Sequence, residues 1–88
     1  MTLEELRKIK KSQDVYYKGD KAYLYVTPNR GYFLFSNIKG LSGSDPYPKV
    51  RSALGFSCSW WLAGREDGYD SCNIHEDIVI AKKGRRPL

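Results

Sequence analysis

Between Asp14 and Ser36 the chain alternates short aromatic and aliphatic runs with turn signals, and this spacing constrains the fold more than any other feature. Asp14–Lys18 carries Val15, Tyr16 and Tyr17, and the tight-turn pair Gly19-Asp20 follows. Such a pair joins two strands into a hairpin, here with Lys21–Thr27. In the second run Ala22, Leu24 and Val26 fall on one face and Tyr23 and Tyr25 on the other, because side chains alternate along a strand. Pro28-Asn29-Arg30-Gly31 makes the next turn: proline presets φ early and glycine closes it. Tyr32–Ser36 then places Phe33 and Phe35 opposite Tyr32 and Leu34. Three runs with short links predict an antiparallel meander.

A helix precedes the meander. Thr2 and Glu5 have capping-box spacing, and Leu3, Leu6 and Ile9 form a narrow apolar stripe. Glu4 and Glu5 at its start and Lys10 and Lys11 at its end suit the macrodipole, so the helix is expected over residues 2–11. After the meander, residues 37–48 (NIKGLSGSDPYP) read as a loop whose Leu41 and Tyr47 fold back onto the core. Strand character resumes from Lys49 to Leu62, with a bulge or bend at Gly55. Gly64–Gly68 turns the chain, Tyr69–Cys72 returns, and Ile78-Val79-Ile80 closes the series. Both faces of several strands are apolar, so one flat open sheet would leave many rings in water. The expected fold is α+β, mainly β: an N-terminal helix packed on a five- or six-stranded antiparallel sheet, curled or closed into a small SH3-like barrel. Residues 1–81 form that single domain, with strands from 14 to 81, and residues 82–88 form a basic tail.

Charge is segregated on this framework. The net +5 divides into +2 over residues 1–11, −1 over residues 12–81 and +4 over residues 82–88. Arg7, Lys8 and Lys11 point away from the helix stripe at 100° per residue, and Lys82, Lys83, Arg85 and Arg86 crowd the tail. Clustered cations attract acidic partners over about one Debye length, roughly 8 to 10 Å. The body between them holds all seven Tyr, three Phe and two Trp, so a thin core is built from rings of about 150–250 Å² each. Arg30, Arg51, Arg65 and Trp61 bring cations and a ring into that body, and Tyr16, Tyr23, Tyr25 and Tyr32 are further candidate stacking rings. Pairing of two copies into a homodimer would hide some of these rings.

The residues of catalysis and metal binding are sparse. His75 is the one histidine; it reads as an exposed loop residue, beside Cys72 but in no rigid elbow. Cys72-x-x-His75 is half a zinc motif, with Cys58 the only further thiol, and Glu66, Asp67, Asp70, Glu76 and Asp77 read as a solvated acidic patch. Cys58 and Cys72 are expected as free buried or half-buried thiols, with a disulfide across the 64–68 turn as the alternative. The expectation is a non-enzyme with no cofactor and no metal. No run approaches the ~20 apolar residues of a membrane helix. The first eleven residues alternate leucine with charge, unlike a secretion signal, so an intracellular protein without a membrane partner is expected.

Tyr47-Pro48, Trp60-Trp61, Asp67-Gly68 and Asp77-Ile78-Val79 resemble, over residues 47–80, a pattern in small β-domain proteins encoded by bacteriophages and prophages. The doubled tryptophan and the helix-bearing first half depart from it. The resemblance implies a protein that neutralises a host factor in the bacterial cytoplasm, an anti-defence or host-takeover inhibitor acting by occupancy, and it carries over no site residues. Its partner is then a host protein with an acidic or nucleic-acid-binding surface. The alternatives are sequestration of an anionic nucleotide by Arg and Tyr, and direct binding of nucleic acid. Candidate binding residues are Arg7, Lys8, Lys11, Arg30, Arg51, Trp61, Arg65, Lys82, Lys83, Arg85 and Arg86.

Overall fold

In the computed structural model, residues 1–38 and 47–81 are described; Leu41 and the basic tail of residues 82–88 lie outside them. β1 (Gln13–Tyr17), β2 (Asp20–Thr27) and β3 (Gly31–Ser36) form the meander. β4 (Cys58–Ala63) adds beside β3 and β5 (Ile78–Ile80) beside β1, giving the order β4-β3-β2-β1-β5. All neighbours are antiparallel. The sheet curls but does not close, so β4 and β5 remain its two edges and no barrel forms. The protein is mainly β, with five strands and a short N-terminal helix.

The first hairpin turns one residue earlier than Gly19-Asp20 suggests. Tyr17 pairs with Asp20, which leaves Lys18 and Gly19 as a two-residue turn with φ of 51° and 85°. A turn of this hand requires positive φ at both central residues, and Gly19 supplies one of them without strain.

One sheet face forms the main core. Val15, Tyr17, Ala22, Leu24, Tyr32, Leu34, Leu62 and Ile78 are buried together there. Leu6 inserts from α1 (Leu3–Lys8) with no exposed surface, flanked by Met1, Leu3 and Ile9. β3 is buried along its whole length, yet Phe33 and Phe35 lie outside this cluster, because strand alternation turns them to the opposite face.

α1 is shorter than the expected span of residues 2–11. Its start follows the sequence: Glu5 N donates to Thr2 Oγ1 at 3.1 Å and Thr2 N donates to Glu5 Oε1 at 2.9 Å. Its end is set by the core. The hydroxyl of buried Tyr32 lies within donating distance of the Arg7 and Ile9 carbonyls (3.2 and 3.3 Å), while Ile9 is already extended. Hydrogen bonding to the Thr2 backbone holds the Glu5 carboxyl below its ordinary value of 4.5. A carboxylate with a lowered folded pKa stabilises the fold above its unfolded pKa, and the contribution disappears as pH falls through the folded value. The helical circular dichroism of the wild type is therefore expected to fall below about pH 4.5 more steeply than that of Glu5→Gln, whose cap does not titrate.

The α-ammonium of Met1 fastens the same helix to the far end of the chain. It donates to the carbonyls of His75 (3.1 Å), Glu76 (3.1 Å) and Ile78 (3.0 Å), where β5 begins. Acetylating this amine removes its charge and all but one donor. The expected cost is about 2 kcal/mol, or a melting temperature lower by about 10 °C, in a comparison of acetylated and free chains. Equal melting temperatures would show that these bonds contribute nothing net.

Two segments depart from the sequence reading. Lys49–Ala53 is not strand but part of α2 (Pro48–Ala53), with proline at its first turn. Proline costs no hydrogen bond there, and Gly55 (φ 86°) ends the helix rather than bulging a strand. Tyr69–Cys72 is not a strand either. After the Ala63–Tyr69 bridge, where Asp70 N donates to Leu62 O at 2.9 Å, the Asp70 carboxylate accepts from Cys72 N at 3.1 Å. This side-chain turn leads the chain into the 3-10 turn Ile74–Asp77.

Candidate docking surface

The face opposite α1 is built from rings. The sheet register aligns Tyr23 with Phe35 and Ser59, and Tyr25 with Phe33 and Trp61. Phe35, fully buried, stacks with Tyr23 at 6.2 Å (interplanar angle 26°) and with Tyr25 at 5.4 Å (20°). Tyr47 folds back as expected and meets Tyr25 edge-on at 5.0 Å and Phe33 at 5.4 Å. Pro48 at the start of α2 restricts the Tyr47 backbone.

Arg30 crowns this cluster. Its guanidinium lies 6.0 Å from the Tyr47 ring centroid, within cation–π range, and has no carboxylate partner among the described residues. The turn that carries it is held from three sides. Arg30 N donates to Thr27 Oγ1 (3.0 Å), the Thr27 hydroxyl donates to Gly31 O (3.0 Å), and Trp61 Nε1 donates to Arg30 O (3.2 Å). Tyr23, Tyr25, Tyr47 and Trp61 are half-buried and Arg30 is exposed. The patch thus presents ring edges around one cation on a fixed backbone.

Arg30 and Trp61 are the sequence candidates that the structure unites. Arg7 is not an outward-facing cation: it is half-buried and donates to the carbonyls of Gly64 (3.3 Å) and Gly68 (2.8 Å), clamping their turn. Arg65 donates to Thr27 O (3.3 Å) and sits 5.9 Å from the Tyr32 ring, so it braces the Arg30 turn from beneath. Arg51 Nη1 donates to Phe56 O (2.7 Å), closing α2. Lys8 and Lys11 are exposed on or beside α1, away from the rings. Lys82, Lys83, Arg85 and Arg86 lie outside the described residues. Tyr32, a candidate stacking ring, is buried in the core.

His75 is a second correction. It is 4 % exposed rather than a loop residue in solvent, because the 3-10 turn packs under the N-terminus, and its Nδ1 has no hydrogen-bond partner. Neither thiol bonds to it; Cys58 and Cys72 are unpaired, and Cys72 is exposed rather than half-buried. Among the described residues, no group of three or more His, Cys, Asp or Glu side chains is placed to hold a metal ion. No described helix is long and apolar enough to cross a membrane. The chain matches no protein-family model, no curated protein and no solved structure.

Proposed function

We propose that the chain is a non-enzymatic binding protein that acts by occupancy, seating an acidic partner protein on the rim of Tyr25, Tyr47 and Trp61 around Arg30. The observation that carries this reading is the Arg30 guanidinium over Tyr47 on a turn fixed by Thr27 and Trp61. Tyr, Trp and Arg dominate interface hot spots, and side chains already held in place lose little entropy on docking. The cation at the centre of the rim is Arg30, which favours an acidic surface, while the chain's excess positive charge lies in its terminal segments. In the phage setting that the resemblance implies, the partner is a host protein in the bacterial cytoplasm and occupancy neutralises it. Base stacking suits this patch less well, since the Tyr23, Phe35 and Tyr25 rings already stack on one another.

The test is capture from bacterial lysate by immobilised wild type and Arg30→Glu. The expected result is one stoichiometric acidic protein held by the wild type and lost with the variant. Equal retention by both proteins, or recovery of nucleic acid alone, contradicts the proposal.

A further inference from the structure

A cleft of about 180 Å³ opens beside Phe56, at the β1–β2 end of the ring-bearing face. Tyr16 and Phe56, both half-buried, line it, together with the opposed pair Val15 and Ala22. Tyr16 has no ring or cation partner among the described residues, unlike Tyr23, Tyr25 and Tyr47. Lys21 stands directly opposite Tyr16 in the hairpin, exposed and without a carboxylate partner among the described residues. Asp14 adds an acceptor to the lining.

We infer that this cleft receives a nucleobase whose phosphate meets Lys21. Whole small-molecule sites span about 300–1,000 Å³, so a cleft of this size admits one ring system and leaves the sugar and phosphate at the mouth. Aromatic lining residues provide the stacking surface that bases use, Lys21 supplies the countercharge, and Asp14 can accept from an exocyclic amine. Asp14 disfavours a phosphate placed beside it, which orients the base amine inward and the phosphate toward Lys21. Ala81 completes the lining. The base arrives either as a free nucleotide or within a single strand of nucleic acid. The inference uses none of the residues of the proposed docking patch.

The experiment is titration of the isotopically labelled full chain with AMP, with an eight-residue deoxyadenosine strand and with inorganic phosphate, read by amide chemical shifts. AMP or the strand is expected to move Asp14, Tyr16, Lys21 and Phe56. Lys21→Glu and Phe56→Ala should each weaken binding at least tenfold with unchanged circular dichroism. A response to AMP identifies a free nucleotide, and a response confined to the strand identifies single-stranded nucleic acid. No shift with either at millimolar concentration overturns the inference, as does an equal response to phosphate alone. Binding that survives Lys21→Glu, a change on an exposed residue that does not endanger folding, overturns it too.

Discussion

Gly31→Ala is expected to cost about 4 kcal/mol, much of the 5–15 kcal/mol that holds a small domain together. Gly31 has φ of +95°, where a side chain already costs roughly 1–2 kcal/mol. A Cβ there would lie 2.0 Å from the Ala63 carbonyl oxygen and 2.7 Å from Gly64 Cα. Both obstacles are backbone, so no rotamer change relieves them; β3 and β4 must separate at the point where Tyr32 pairs with Ala63. The control is Gly19→Ala, with φ of +85° and nothing within 4 Å of the added carbon. That variant bears only the conformational term, about 1 kcal/mol. Urea denaturation separates them: the midpoint drops far for Gly31→Ala and slightly for Gly19→Ala. Similar midpoints would mean that the Gly31–Ala63 approach is looser than the structure shows.

Arg30→Glu is expected to abolish partner docking while leaving the fold intact. The side chain is exposed, and the bonds that shape its turn run through the Arg30 backbone to Thr27 and Trp61. Truncating a central arginine hot spot costs at least about 2 kcal/mol, or roughly 30-fold in affinity. Charge reversal against an acidic partner adds like-charge repulsion, so a loss of about 100-fold or more is expected by titration calorimetry. Trp61→Phe keeps a ring and releases the Arg30 carbonyl, so it should produce a smaller loss through a looser turn. Unchanged affinity in Arg30→Glu would remove Arg30 from the interface.

The meander was legible because its turns are written in Gly and Pro and its strands in alternating residues. α2 was not. Lys49–Ala53 has no apolar stripe and buries no residue, so its helix is decided by Pro48 at one end and Gly55 at the other. The 3-10 turn that carries His75 is bonded through its carbonyl to the Met1 ammonium, 74 positions away, a contact that no local pattern reports. Arg7 faced solvent on a helical wheel, yet tertiary packing lays the 64–68 turn against it. The ring cluster was half legible. Arg30, Trp61, Tyr23 and Tyr25 stood out by residue type, but only the register of β2, β3 and β4 aligns Tyr25, Phe33 and Trp61. The return of Tyr47 was expected, but which rings it meets was not, because that contact depends on where the chain crosses the sheet.

Amide chemical-shift mapping of the labelled chain, titrated with the protein that it captures from lysate, decides where the partner sits. Shifts should concentrate at Tyr25, Arg30, Tyr47 and Trp61 and disappear in Arg30→Glu. Shifts confined to α1 and the opposite face, with these four residues unmoved, would contradict docking on the ring-bearing surface.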